Sequence, residues 1–366
     1  MADLTNQFIA QIRDAAVSKQ TLYIDGGGSK RWYGNASVAA HALATTGHHG
    51  IVEYDPAELV LTARAGTTLS DIESVLAERG QMLAFEPPRY TPESTLGGAI
   101  ATALSGPGRP YMGGVRDFVL GMHVIDGRGD VLKFGGQVMK NVAGYDVSRL
   151  MTGAMGILGV ISQVSLKVLP VPPASASQCF EVAEPDAIRW VNEWAGQPLP
   201  LTATAWEHGV LTVRLSGARA AVDAAVAQLG GTRLEHTAAM AYWQSLRDQT
   251  HRFFCDANEM NAGQTLWRLS LPGVAPAIAQ AQLPGANHPL IEWGGAQRWI
   301  WSDAAGDVVR SVAQQLGGHA VRFKNQHRDG ETFAQPGAAL MAVHRRLKQT
   351  FDPHGIFNPG RLYLGL

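Results

Sequence analysis

The chain has 366 residues, 46% hydrophobic and 17% charged, with a formal net charge of -1. That length suits two or three domains with ample apolar surface to bury. The near-neutral charge, with no basic run interleaved with aromatics, argues against a nucleic-acid reader or global attraction to an anionic membrane. Cys179 and Cys255 are the two cysteines, far apart and outside any CxxC or Cys/His cluster. Zinc and iron–sulfur sites need several close soft ligands, so no metal is expected, only two thiols in a reducing compartment.

The start, Met1 to Asn6, carries an early acid and no apolar run, so it does not read as a signal peptide. No stretch approaches the roughly 18 apolar residues of a membrane span. The expected location is cytoplasmic, with membrane contact only through a partner. Thr21 to Asp25 reads as a short strand ending at Gly26-Gly27-Gly28, and Leu59 to Ala65 alternates as a second. Thr68 to Gly80 reads as a helix: Thr68 and Asp71 resemble a capping box, Leu69, Ile72 and Leu76 share a face, and Gly80 suits a C-terminal cap. Phe118 to Ile125 and Val131 to Phe134, joined by Asp126-Gly127-Arg128-Gly129-Asp130, read as a hairpin, and Gly159 to Val168 as one more strand.

Pro170, Pro172 and Pro173, followed by Ala174-Ser175-Ala176-Ser177, mark a linker and a first boundary. Beyond it, strand and helix patterns alternate. Strands are expected at Cys179 to Val182, Val210 to Leu215, Leu266 to Leu271 and Gln297 to Trp301. Helices are expected at Asp186 to Trp194, Arg219 to Leu229 and Gly306 to Leu316. This suits helices layered on an antiparallel sheet. Eight of the nine tryptophans fall between 190 and 301, and core or interface residues are a better account of them than a substrate-stacking box. A last helix, about Ala338 to Phe351, leads into Asp352-Pro353-His354-Gly355-Ile356-Phe357-Asn358-Pro359-Gly360-Arg361.

Three loops are candidates for chemistry. Asp25 to Lys30 follows a strand, and its glycines are either a plain turn or a backbone cradle for a pyrophosphate. It is neither a Rossmann fingerprint, since Arg31 stands where the third glycine should, nor a Walker A loop. Thr91 to Gly106 mixes hydroxyls, glycines and small residues. It is either a tightly packed helix start or a pocket for phosphates and a flat ring. Asn141 to Asp146 and Gly153 to Ile161 give glycines before a strand, a nucleotide pocket or a structural turn. If Gly27 and Gly97 face a pyrophosphate, Gly27→Val or Gly97→Val should expel it while the chain stays folded.

Together the three loops, in order and spacing, resemble the FAD domain of the vanillyl-alcohol oxidase family, the PCMH-type fold, and Asp352 to Gly360 resembles that family's closing signature. Within it, Phe85-Glu86-Pro87-Pro88, Leu104-Ser105-Gly106-Pro107 and Gln137 to Leu150 look like the FAD-binding subunits of glycolate oxidase (GlcE type). The resemblance covers about 21 to 170 and 338 to 366. It implies an α+β chain: a PCMH-type FAD-binding domain of two α/β subdomains at 1–172, an α+β cap domain at 173–335, and a C-terminal segment, 336–366, returning to the first domain.

Carried over position by position, the family's contacts put Gly26, Gly27, Gly28 and Ser29 on the pyrophosphate. Ser94, Thr95, Gly97, Gly98 and Thr102 fall along the pyrophosphate and flavin, Gly156, Gly159, Val160 and Ile161 along the ribose and adenine, and Asn358 and Arg361 close the site. Relatives with covalent flavin use a histidine in the first loop or a cysteine in the second. Ser29 and Lys30 follow the glycines here and no cysteine precedes 179, which implies non-covalent FAD.

The family's catalytic 2-hydroxy-acid dehydrogenases carry a His-x-x-x-His pair and a later Glu-His. The His-x-x-x-His pair does not occur between 178 and 335; Glu-His occurs there twice, at Glu207-His208 and Glu235-His236, without that pair before it, and His208, His236, His251, His288, His319 and His327 are scattered. The resemblance therefore implies an FAD-binding subunit of a glycolate oxidase or dehydrogenase complex that oxidises a short 2-hydroxy acid. Its partners would be a second, catalytic FAD-binding subunit and an iron–sulfur subunit. Two readings compete: a self-sufficient flavoenzyme with Tyr145, His327 or Arg322 near the ring, and a non-catalytic structural or electron-relay subunit.

Overall fold

The computed structural model describes residues 2–136, 146–255, 263–324 and 330–366. The helix Thr5–Ser18 buries Phe8, Ile12 and Ala15, spaced as one helical stripe. They pack on Leu22, Leu43, Ile125, Val160, Ile356 and Phe357, so residues from both ends of the sequence share one core. Full burial of a large side chain of this kind contributes about 1.5–3 kcal/mol. The strand Leu22–Asp25 lies parallel to His41–Ala44, and its other edge takes a parallel bridge from Leu22 to Phe357.

A five-stranded antiparallel sheet has the order Ile51–Asp55, Val60–Arg64, Val160–Lys167, Val119–Ile125, Val131–Gly135. The hairpin turn forms as its residues demand. Asp126 Oδ1 accepts from Arg128 N at 2.9 Å and Asp130 N at 3.0 Å, and Gly129 takes a φ of +77°. Thr68 caps the helix Leu69–Ala77 by accepting from Asp71 N at 3.1 Å, and Leu69, Ile72 and Leu76 are buried.

The chain divides into two units. The first holds Met1–Leu104, Gly113–Pro170 and Gln335–Leu366; the second holds Ser105–Met112 and Val171–Ala334. Residues 105–112, expected with the first domain, thus belong to the second unit. There Trp293 Nε1 donates to Gly106 O at 3.1 Å, and the Arg109 guanidinium lies 4.6 Å over the Trp293 ring.

The second unit is built on an eight-stranded antiparallel sheet. Its order is Thr232–Arg233, Ala174–Glu181, Val210–Gly217, Leu201–Glu207, Leu290–Glu292, Gln297–Ser302, Thr265–Ser270, His319–Lys324. Helices Glu184–Ala195 and Arg219–Leu229 cover one core, around Val213, Leu215 and Trp206; Gly306–Gln315 covers another, around Trp267, Leu269 and Ile300. Trp206, Trp243, Trp267, Trp299 and Trp301 are buried, which makes most of the tryptophan-rich region core. The expected linker differs: Ala174–Ser177 opens a strand, paired in register with Gly217 to Arg214, with Ala176 and Ser177 buried. Small residues carry little strand signal of their own, and here a paired neighbour supplies what propensity does not.

Candidate cofactor-binding site

The first glycine loop leaves the strand Leu22–Asp25 and is held from two sides. Thr45 N donates to Asp25 O at 2.8 Å, and Ser94 Oγ donates to Ser29 Oγ at 3.0 Å. The second loop lies against the first, backbone on backbone. A Cβ at Gly26 would stand 2.8 Å from Thr95 Oγ1, and one at Gly27 only 1.6 Å from Glu93 O. Gly97 is similarly tight, 2.8 Å from Ala65 Cβ. The expected outcome for Gly27→Val and Gly97→Val is therefore corrected. Their side chains would meet protein before any ligand, so those substitutions test loop packing.

Gly98 differs: a Cβ there would meet Thr95 Oγ1 at 3.3 Å and otherwise open space. Thr95 caps the helix Leu96–Thr102, accepting from Gly98 N at 3.3 Å, and Thr102 Oγ1 donates back to Gly98 O at 2.8 Å. The second loop is thus a helix start, and the same residues face a hollow.

Two adjoining hollows share Ile24, Gly26, Gly98, Ala101, Met155 and Asn358. The first is also lined by Gly27, Gly28, Ser29, Thr95, Thr102 and Arg361, and the second by Gly97, Gly156, Gly159 and Ile161. Ser94 and Val160 line neither. Ser94 is buried behind Ser29, and Val160 belongs to the core under the helix Thr5–Ser18. Lys30, Thr45, Ala65, Ala101 and Met155 line the hollows without having been singled out in the sequence. Lys30 was legible as the first cation after the glycines; the alanines and Met155 carry no signal apart from their place in the fold.

The closing segment is a clamp. Asn358 Oδ1 accepts from Ile24 N at 2.9 Å, and its Nδ2 donates to Met155 O at 2.8 Å, which joins the first strand to the third loop. Arg361 donates to Asn35 O at 2.8 Å, Arg31 O at 2.9 Å and Tyr33 O at 2.5 Å, gathering the chain that follows the glycine loop. Behind them lies a buried pair: Lys348 Nζ meets Asp352 Oδ2, Ile157 O and Phe357 O, each at 2.7 Å. Burial is the main force pushing the Lys348 ammonium pKa below its usual range, with Asp352 opposing it. At the rim Arg31 pairs with Asp25.

Lys30 is 8% exposed, and burial pushes its pKa down to about 8. Hydroxyls, glycine backbone and this cation line one hollow; Ala65, Ala101, Met155 and Ile161 give the other an apolar wall. That combination fits an elongated dinucleotide with an anionic centre, as FAD has. Asn141 to Tyr145 and His327, named from the sequence, lie outside the described residues. Arg322 sits on the second unit's edge strand, its guanidinium 5.3 Å over the Trp267 ring. Among the described residues no three or more His, Cys, Asp or Glu side chains converge as metal ligands would.

The profile of the FAD binding domain family matches residues 2–135, and that of the C-terminal domain of FAD linked oxidases matches 325–362. The chain is 46% identical to glycolate oxidase subunit GlcE of Escherichia coli (strain K12), over its full length and 99% of that protein. It is 34% identical to glycolate oxidase subunit GlcD of Bacillus subtilis (strain 168) over 123 residues, 33% of this chain and 26% of that one. The fold is similar to 4-ethylphenol oxidase from Gulosibacter chungangensis, with a TM-score of 0.69 and 13% identity, covering 99% of this chain and 88% of the other.

Proposed function

The chain belongs to the family of glycolate oxidase GlcE subunits, FAD-linked oxidoreductases, and from that premise we propose that it binds FAD non-covalently and works within a complex oxidising glycolate to glyoxylate. Bound FAD supplies the two-electron acceptor for a hydride from the α-carbon of a short 2-hydroxy acid. The chain's own residues hold and shape the site. The backbone of Gly26 to Ser29 would hold the pyrophosphate, with Thr95, Gly98 and Thr102 beside it. Gly156, Gly159 and Ile161, which line the second hollow, would lie along the nucleoside end, and Asn358 and Arg361 lock the loops in place. Ser94 supports Ser29 from behind, and Val160 supports the core beneath.

The observation that carries this reading is the pair of joined hollows where the two glycine loops and the C-terminal clamp meet. Non-covalent attachment is supported by the lining, which among the described residues holds neither histidine nor cysteine; both cysteines lie in the second unit. The partners in this proposal are a GlcD-type FAD subunit and an iron–sulfur subunit that carries electrons onward. Its setting is the cytoplasm, with any membrane reached through those partners. Among the described residues no helix is long and apolar enough to cross a membrane.

The purified chain is expected to be yellow, and acid precipitation should release the flavin to the supernatant. Flavin retained in the pellet would show a covalent link, and a colourless chain that takes up no added FAD would overturn the cofactor reading.

A further inference from the structure

Lys30 is a buried cation whose surroundings do not neutralise it. Its ammonium has Ser29 Oγ at 3.3 Å and the Tyr90 ring at 5.6 Å. Among the described residues no carboxylate forms an ion pair with it, and burial is what acts on its charge. Its neighbour Ser29 already accepts from Ser94 Oγ, so the hydroxyl is oriented by the second loop and offers the ammonium little freedom to rearrange. A lysine with three donors, nine-tenths buried and lining a hollow, has no carboxylate counter-ion among the described residues. The same hollow is lined by the backbone of Gly26, Gly27 and Gly28. Arg31 and Arg361 line the same hollow, but Arg31 pairs with Asp25, which also lines it, and the buried Arg361 guanidinium is taken up by the backbone carbonyls of Asn35, Arg31 and Tyr33.

We propose that Lys30 is the counter-charge for the pyrophosphate of the bound dinucleotide, seated on Ser29 and completing a cradle whose backbone part is the glycine loop. The inference rests on the FAD reading and adds to it a named electrostatic partner. It has a pH consequence. In the empty chain burial holds Lys30 at about 8, below its usual 10.5, so unfolded chain carries more protons between those values. The empty chain is thus penalised below about pH 8 and gains stability as pH rises from 8 towards 10.5. A bound dianion reverses the preference and holds the ammonium charged. Binding therefore takes up a proton above about pH 8, and affinity falls as pH rises.

The test measures FAD and ADP binding by calorimetry, with flavin fluorescence as a second readout, on the full chain stripped of flavin, from pH 7 to 9.5. At pH 7, Lys30→Met should weaken both ligands by about ten- to a hundred-fold, the range of a charge-assisted hydrogen bond. The unmodified chain should lose affinity above about pH 8, approaching roughly tenfold per pH unit. Lys30→Met should be flat over the range, and Lys30→Arg should keep affinity without the alkaline loss. Removing a buried charge should leave the thermal midpoint of empty Lys30→Met unchanged or higher, so a folding defect would be visible. Equal binding by Lys30→Met and the unmodified chain overturns the proposal and leaves the FAD reading standing. Weakened FAD with unchanged ADP also overturns it, by placing Lys30 at the flavin end. Binding of neither ligand by the unmodified chain overturns both.

Discussion

Gly27 and Gly98 look alike in the sequence and do different things in the structure. At Gly27 the nearest atom to an added Cβ is a backbone oxygen, Glu93 O, which no rotamer change can move. At Gly98 the nearest is one hydroxyl, beyond which space is open. Gly98→Ala should therefore cost much less stability than Gly27→Ala, since only the Thr95 hydroxyl has to give way and alanine is favoured over glycine within a helix by about 0.8–1 kcal/mol. It should also weaken FAD by about tenfold or more, because the methyl enters the hollow. Gly27→Ala should instead cost about 1–3 kcal/mol of stability in a urea melt, as an overpacked site does. If Gly98→Ala bound FAD as tightly as the unmodified chain, the helix start would not be part of the cofactor wall. The candidate residues were legible as glycines and hydroxyls in runs. Which of them contact protein and which face space was not, because that depends on Glu93 and Ala65, remote in sequence or silent in character.

At the scale of elements, clear patterns carried through and a strand or helix with a blurred pattern was missed. The helix Leu69–Ala77 and the hairpin Val119–Ile125 with Val131–Gly135 follow their patterns. The strand Leu201–Glu207 is buried along its whole length, with threonines on the covered faces, so it shows no alternation to read. The helix His236–Asp248 was overlooked although Ala239, Trp243 and Leu246 lie at helical spacing; its polar start blurs the stripe. The closing segment was legible as a motif, yet its role is mechanical. Asp352 accepts from Lys348 Nζ, Ile356 N at 3.1 Å and Phe357 N at 2.8 Å, and its side chain is fully buried. Asp352→Ala leaves the Lys348 ammonium buried and unpaired by its carboxylate, which should cost about 3–5 kcal/mol. Hydrogen exchange should speed at Ile356, Phe357 and Asn358, and FAD affinity should drop because Asn358 loses its footing beside Ile24. Unchanged exchange there would show that the segment is held by its apolar contacts alone.

Across the whole molecule, two features bear on whether this chain oxidises substrate by itself. A base is needed to take the hydroxyl proton, and the amine lining the hollow, Lys30, has a pKa of about 8 and so is mostly charged at neutral pH. Reduced flavin also needs an exit, and the two cysteines offer no cluster: Cys179 sits 3.5 Å from Thr212 Oγ1 within the sheet, and Cys255 is exposed. The FAD-loaded chain alone, mixed with millimolar glycolate without oxygen, should therefore bleach slowly in stopped flow. A site without its base forfeits roughly two to four orders of magnitude. The chain co-purified with a GlcD-type subunit and an iron–sulfur subunit should bleach at rates typical of working enzymes, on the order of 1 per second or more. Fast bleaching by the lone chain would overturn the subunit reading in favour of a self-sufficient flavoenzyme, and equally slow bleaching in the full complex would point to a substrate other than glycolate.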